Sequence, residues 1–209
     1  MKYREALPQL NGTFCLSDGG METTLVFQDE IDLPEFSSIV MVASEDKRNH
    51  LRRYFDPYRE MAIKHGVGFV LKSPTWRSSW EWAEALGFTP GELDQLNREA
   101  VDLLLALRQE YEKPETPIVV SGCIGPRGDG YVADQKMTGE QAKDYHFRQV
   151  EVLADAGVDC VTAMTINYIE EATGIALAAR LANVPRIISF TVETNGRLVT
   201  GESLEDAIT

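Results

Sequence analysis

The sequence predicts an α/β fold in which parallel strands alternate with helices. Three features support this: short apolar runs recur along the 209-residue chain, polar or glycine-bearing segments follow them, and capped segments with helical apolar spacing separate them. An uninterrupted alternation of strands and helices implies parallel strands joined by crossovers. Two architectures have this pattern. The five visible units would complete an open doubly wound sheet, but they would supply only about five of the eight units of a (β/α)8 barrel.

Five apolar runs are the predicted strands. They cover residues 13–17, 67–71, 118–120, 158–164 and 186–192. The segment between the first strand and the first capped helix is rich in Asp, Pro and Ser, and we predict a long connection there.

Helix caps mark the predicted helices between these strands. Ser44 precedes two acidic residues and an apolar pattern with helical spacing, which Gly66 ends. The sequences TPGE at 89–92 and TGEQ at 138–141 have the form of capping boxes. Asn167, three residues before a glutamate, predicts the cap of a further helix.

The carboxyl-terminal residues predict that a longer protein contains this sequence. Ser203 begins a helix-cap pattern that is followed by six residues. Isolated helices of that length are marginal in water. We therefore expect residues 1–209 to form a single, incomplete domain.

Composition and charge restrict the classes of function. The formal net charge of −13 disfavours nucleic acids and anionic membranes as partners. No apolar stretch is long enough to span a membrane, and no secretory signal is visible. The three cysteines, Cys15, Cys123 and Cys160, are far apart and lack metal-ligand spacing. Sparse cysteines are typical of a reducing compartment, so we predict a cytoplasmic protein.

Both architectures bind ligands at the carboxyl ends of the strands, where this sequence has distinctive residues. After the first strand, Gly19 and Gly20 allow the backbone to approach a ligand closely, and Asp18 can accept a hydrogen bond from an ammonium or hydroxyl group. After the second strand, Thr75 offers a hydroxyl group and Trp76 a flat apolar wall. The alternative interpretation of residues 18–20 is a plain tight turn, and that of Trp76 is core packing.

The later strand ends are also polar or rich in glycine. Arg127, in the glycine-rich segment 122–130, is a candidate for binding a carboxylate, unless it is simply solvated. Glu193 follows the fifth strand and either faces a ligand or precedes a turn. Neither a GxGxxG nor a Walker A motif is present, so nucleotide binding has no support. These residues alone predict a small-molecule site on a β/α scaffold.

Four strand-end motifs, taken in order, resemble those of the homocysteine S-methyltransferase family. They are DGGMETTL at 18–25, TWRSS at 75–79, SGCIGP at 121–126, and SFT at 189–191 ahead of GESL at 201–204. The resemblance covers nearly the whole chain. The family includes betaine–homocysteine and S-methylmethionine–homocysteine methyltransferases.

The resemblance implies a (β/α)8 TIM-type barrel, of which about five of the eight units lie in this chain. It implies methyl transfer from an onium or similar donor to the thiol of homocysteine, and a role in methionine biosynthesis. A zinc ion held by three cysteine thiolates would bind that thiol and lower its pKa. Carried over residue by residue, the family's substrate-binding positions are Asp18, Gly19, Gly20, Thr75 and Trp76.

Two departures from the family pattern matter. The family's zinc cysteines follow its sixth and eighth strands, in Asn-Cys and Gly-Gly-Cys-Cys motifs that this sequence does not include. We therefore assign no metal ligand here, and we expect the isolated chain to be inactive. Met164 stands where many members have a glutamate that binds the substrate's amino group. The acceptor is thus homocysteine or a related thiol, with Glu193 a possible replacement anchor.

Two alternative functions remain at this point. One is a metal-free, small-molecule-binding protein on an open five-stranded sheet, or an inactive truncated relative of the family. The other, ranked last, is an interaction module without chemistry. Exposed strand edges of an incomplete barrel could pair two copies, so a homo-oligomer is possible.

Overall fold

The computed structural model describes residues 1–208 and contains one parallel sheet. Its strands are β1 (Cys15–Ser17), β2 (Gly68–Lys72), β3 (Ile118–Ile124), β4 (Cys160–Ile166) and β5 (Arg186–Phe190). All neighbouring pairs are parallel, and the spatial order is the chain order β1-β2-β3-β4-β5. A doubly wound sheet reverses its strand order at a switch point, whereas a barrel does not. The strands form a curled half-barrel, part of a (β/α)8 barrel.

Helices connect successive strands. They are α1 (Met21–Phe27), α2 (Glu45–His65), α3 (Pro90–Tyr111), α4 (Gly139–Ala156), α5 (Ile169–Leu181) and α6 (Leu204–Ile208). The predicted caps of the three longest are confirmed: Ser44 caps α2, and Thr89 and Thr138 form complete capping boxes on α3 and α4. None of the helices within residues 1–208 combines the length and apolar character needed to cross a bilayer.

The predicted long connection after β1 is present, and it contains the short helix α1. Two local predictions were wrong. Strand β3 continues through Gly122 to Ile124, beyond the predicted end at residue 120. Gly122 serves packing there, because an added Cβ would lie 2.9 Å from Cδ1 of Leu153 in α4. Asn167 does not cap α5; Tyr168 occupies the N-cap position, and the Asn167 amide donates to the carbonyl oxygen of Asp129 at 2.9 Å.

The core lies between the sheet and the helices that cover its outer face. Its largest fully buried side chains include Phe55 of α2, Phe69 of β2 and Leu104 of α3. Helices α4 and α5 approach closely at Gly174, where an added Cβ would lie 2.4 Å from Cβ of Ala142. The two helices can approach this closely because Gly174 has no Cβ atom.

A buried aspartate ties the amino terminus to the sheet. Asp159 directly precedes β4 and is fully buried. Its carboxylate accepts hydrogen bonds from the backbone N–H groups of Lys2 (3.0 Å), Tyr3 (2.9 Å) and Val120 (2.9 Å) and from Nη1 of Arg108 (2.5 Å). These contacts lie at the amino ends of the strands, the face that serves stability in this fold.

Candidate substrate-binding cleft

A cleft of about 230 Å³ opens at the carboxyl ends of β1 to β4. Four of the five predicted substrate-binding residues line it: Asp18, Gly19, Gly20 and Trp76. The fifth, Thr75, does not reach its wall. The structure therefore brings four of the five predicted residues together in one cleft and places Thr75 outside its lining.

Asp18 follows β1 and is the most buried charged group of the cleft, with a side chain only 3% exposed. Its Oδ2 accepts a hydrogen bond from the Tyr54 hydroxyl at 3.1 Å. Its Oδ1 forms an ion pair with Nζ of Lys72 at 3.2 Å, and within residues 1–208 this buried oxygen accepts no hydrogen bond of regular geometry. Burial raises the pKa of Asp18, and the Lys72 ammonium opposes that shift.

The two glycines after Asp18 make room for side chains of helices α2 and α1. An added Cβ on Gly19 would lie 2.9 Å from the Tyr58 hydroxyl, and one on Gly20 would lie 3.2 Å from Oγ1 of Thr23. Gly20 has a φ of −83°, so it does not use the left-handed region. Close approach of neighbouring side chains accounts for these glycines.

Thr75 lies behind the cleft lining and is hydrogen-bonded to two lining residues, Ser73 and Cys123. It is fully buried, and its Oγ1 donates to the carbonyl oxygen of Cys123 at 2.7 Å. The same hydroxyl lies 2.6 Å from Oγ of Ser73, which accepts from the backbone N–H of Cys123 at 2.9 Å. Thr75 thus joins the ends of β2 and β3 and positions Ser73, which does line the cleft.

Trp76 forms a wall of the cleft, and the end of β4 holds it in place. Its Nε1 donates to Oγ1 of Thr165 at 3.1 Å. Thr165 has a φ of +58°, where the β4–β5 register is irregular. Gly125 packs against Trp76 so tightly that an added Cβ would lie 2.4 Å from the Trp76 carbonyl oxygen. The aromatic rings of Phe36 and Tyr131 also line the cleft.

Sequence reasoning missed three residues that shape the charge of the cleft. Lys72 and Glu22 line it, and Tyr54 supports Asp18 from α2. The Ser38 hydroxyl donates to Oε1 of Glu22 at 2.5 Å, and burial raises the pKa of Glu22. A lysine at the end of an apolar strand was a usable signal for Lys72. Tyr54 gave no such signal, because it also fits the apolar face of its helix.

Two candidate anchors lie away from the cleft. Arg127 does bind a carboxylate, but it is that of Glu81: Nε and Nη2 each lie 2.9 Å from one of its oxygens. Glu193 lies at a turn in which its carbonyl oxygen accepts from the N–H of Gly196 at 2.8 Å. Neither residue lines the cleft, so the turn interpretation of Glu193 fits the structure.

The residues present do not fit a zinc site. Cys123 lines the cleft, but Cys15 and Cys160 begin β1 and β4 and therefore lie at the opposite ends of the strands. Burial raises the pKa of Cys123, which disfavours the thiolate form that binds zinc. In the part of the chain that the structure describes, no group of three His, Cys, Asp or Glu side chains could hold a metal ion.

Comparisons with known proteins agree with the fold and identify the family. A family model for homocysteine S-methyltransferase matches residues 15–209. Homocysteine S-methyltransferase 3 of Zea mays is 25% identical, over 92% of this chain and 60% of that protein. Selenocysteine Se-methyltransferase of Brassica oleracea var. italica is 26% identical, over 66% of this chain and 46% of that protein.

A solved structure supports the fold. The metallated homocysteine methyltransferase MmuM of Escherichia coli superimposes with a TM-score of 0.75 at 19% identity, over 97% of this chain and 72% of that chain. The chain spans about half the length of the curated relatives it matches. The resemblance inferred from the four strand-end motifs is confirmed, and because the family model matches nearly the whole sequence, this chain belongs to the homocysteine S-methyltransferase family.

Proposed function

We propose that this chain forms the acceptor-binding part of an S-methyltransferase that methylates the thiol of homocysteine or a related thiol. One observation carries the proposal: Oδ1 of Asp18 is buried beside the cleft without a hydrogen-bond donor among residues 1–208. Its neighbour there is the Lys72 ammonium at 3.2 Å, and a donor on the substrate would add the hydrogen bond that this contact does not make. Family membership supports this assignment.

The amino group of an amino-acid acceptor suits this position. An ammonium group donates up to three hydrogen bonds and would stabilise the ionised form of Asp18, opposing the pKa rise that burial causes. The likeness to a selenocysteine Se-methyltransferase supports keeping related acceptors within the proposal. Met164, at the end of β4, contributes no carboxylate to this binding.

The aromatic side chains of the cleft support a cationic methyl donor. Trp76, Phe36 and Tyr131 all line it, and aromatic faces attract onium groups through cation–π interactions. The guanidinium carbon of Arg77 lies 4.8 Å from a Trp76 ring centroid, so this ring already contacts one cation. Phe36 and Tyr131 have no cation–π partner within residues 1–208, which makes them the better candidates for contact with a donor.

Zinc is part of the proposal, although residues 1–208 do not supply its site. When bound, the ion would lower the pKa of the acceptor thiol. Its ligands would come from cysteines after the sixth and eighth strands of the full barrel. The proposal places the enzyme in the cytoplasm and in methionine synthesis. It assigns to the present residues the binding and orientation of the acceptor.

The natural gene product that includes residues 1–209 provides the test. Methyl transfer to homocysteine is measured with S-methylmethionine and with betaine as donors, alongside the zinc content per chain. We expect Asp18→Asn to lower kcat/KM by about tenfold or more, the size of a lost charge-assisted hydrogen bond. Asp29→Asn, a partly exposed aspartate on the outer surface, is the control and should change little.

Two outcomes would contradict the proposal. If the wild-type protein transfers no methyl group from either donor, a metal-free binding protein or an inactive relative becomes the better interpretation. If transfer occurs but Asp18→Asn and Asp29→Asn behave alike, the acceptor does not bind at Asp18.

A further inference from the structure

The cleft contains a lysine whose role the family resemblance does not supply. Lys72 is the last residue of β2, and its side chain is only 18% exposed. Its Nζ lies 3.2 Å from Oδ1 of Asp18, at the carboxyl ends of the strands where substrates bind in this fold. A lysine held this close to a nearly buried carboxylate is part of the site and not a solvated surface charge.

Among the charged side chains that line the cleft, Lys72 is the positively charged one. Asp18 and Glu22 are the acidic residues of the lining, and Lys72 is its basic residue. Both acids already accept hydrogen bonds, from Tyr54 and Ser38 respectively. Lys72 therefore partly compensates Asp18, and an ammonium group on a ligand would have to share that aspartate with it.

The Lys72 ammonium retains donors for a second anion. An ammonium group carries three N–H donors. Among residues 1–208, its ion pair is with Asp18, and that contact lacks hydrogen-bond geometry. Since the side chain also lines the cleft, a ligand carboxylate could approach Nζ directly. Charge alternation then favours the order Asp18 carboxylate, Lys72 ammonium, ligand carboxylate.

We propose that Lys72 determines acceptor specificity by binding the acceptor's carboxylate, so that the cleft selects thiols that carry a carboxylate group. This inference rests on the proposed function in taking the acceptor to be a thiol. Where the acceptor also has an amino group, that group lies at Oδ1 of Asp18, and the neighbouring charges of the site match the two charges of an amino acid. The carboxylate, and not the amino group, is the required feature.

The test compares three ligands that differ in one charge at a time. Homocysteine has both groups, 4-mercaptobutanoate lacks the amino group, and 3-mercaptopropylamine lacks the carboxylate. Dissociation constants are measured on the full chain by NMR titration, followed at the indole N–H of Trp76 in the cleft wall. We expect the wild-type chain to bind 4-mercaptobutanoate more tightly than 3-mercaptopropylamine, a result that requires no variant.

Two variants at position 72 then test the residue. Lys72→Met should weaken homocysteine and 4-mercaptobutanoate by about tenfold or more, and should not weaken 3-mercaptopropylamine. Lys72→Arg keeps the cation and should retain most of the binding of both carboxylates. Circular dichroism confirms that each variant is folded.

The outcomes separate this inference from the proposed function. If homocysteine binds equally well to wild type and Lys72→Met, or if the wild type prefers the amine, the role of Lys72 is wrong while the acceptor stands. If homocysteine does not bind but 4-mercaptobutanoate binds in a Lys72-dependent manner, the acceptor is wrong and the role of Lys72 stands. If neither carboxylate binds, both are wrong.

Discussion

The indole Nε1 of Trp76 donates a hydrogen bond to Oγ1 of Thr165 across 3.1 Å. This bond joins the residues that follow β2 to the end of β4, and so spans the end of β3 between them. Beneath it, the backbone N–H of Gly125 donates to the carbonyl oxygen of Trp76 at 2.9 Å. One wall of the cleft is therefore fixed by bonds between strand ends that are distant in sequence.

Replacing Trp76 by phenylalanine tests the contribution of this bond to stability. Trp76→Phe removes the donor, and we expect the free energy of unfolding in urea to fall by about 1 kcal/mol. Trp80→Phe is the matched control, because Trp80 is 38% exposed and its indole donates no hydrogen bond within residues 1–208. Equal losses in the two variants would show that ring volume, and not the bond, matters.

Replacing glycine by alanine should have opposite effects on stability in α5, which packs closely against α4, and in α3, where the glycine has open space. Gly174→Ala should destabilise the protein by about 1–3 kcal/mol, because its Cβ would lie 2.4 Å from Cβ of Ala142. Gly91→Ala, in the first turn of α3, meets nothing within 4 Å and should stabilise by up to about 1 kcal/mol. Thermal or urea unfolding measures both. A stabilising Gly174→Ala would contradict the close helix packing.

The buried carboxylate of Asp159 should contribute more to the free energy of unfolding than an exposed carboxylate does. Asp159→Asn weakens four contacts and leaves Arg108 without its ion-pair partner, so we expect a loss of about 3–5 kcal/mol in the free energy of unfolding. Asp94→Asn, which breaks the more exposed pair with Arg148, should cost less than about 1 kcal/mol. Similar losses would show that burial does not decide the strength of these pairs.

Glu22 makes stability depend on pH in a direction that can be checked. Burial raises the pKa of Glu22 above its ordinary value of 4.5, so its contribution is fully present below that pH and is lost as pH rises through the folded-state pKa. Glu22→Gln cannot ionise. The variant should therefore gain stability relative to wild type as pH increases from 4 to 8, measured by urea unfolding at each pH.

Glu92 provides a control, because its pKa is shifted in the direction opposite to that of Glu22. Hydrogen bonds from the backbone and side chain of Thr89 lower the pKa of Glu92, so its contribution is present above the ordinary value and is lost as pH falls. Glu92→Gln should lose stability relative to wild type above pH 4.5, and the gap should close in acid. If both variants change in the same direction with pH, the assignment for Glu22 is wrong.

Elements with strong local signals could be predicted from the sequence. The caps at Ser44, Thr89 and Thr138 were correct because capping depends on residues within one turn of the helix. The cap at Asn167 was wrong because Tyr168 occupies the N-cap position and Asn167 lies one residue before it, where its amide donates to the distant carbonyl of Asp129. The glycine at 122 was assigned to a loop, since its packing partner Leu153 is unknown until the helix is placed.

The same distinction explains what was missed in the cleft. The motif at residues 18–20 could be placed at a strand end that borders the cleft, because its position after an apolar run is a local feature. Thr75 and Ser73 lie two residues apart, and which of them faces the cleft depends on bonds to Cys123 on the neighbouring strand. The ion pair of Lys72 with Asp18 likewise joins two strands. Such roles follow from strand pairing, which the sequence alone does not display.

The hydrogen bonds of Asp159 also set an order of events during synthesis. Its partners Lys2 and Tyr3 precede it by 157 and 156 residues. At translation rates of about 5–20 residues per second, roughly 8–30 s pass between the synthesis of these residues and that of Asp159. Lys2 and Tyr3 leave the ribosome before Asp159, yet they can make these contacts only after the start of β4 has emerged.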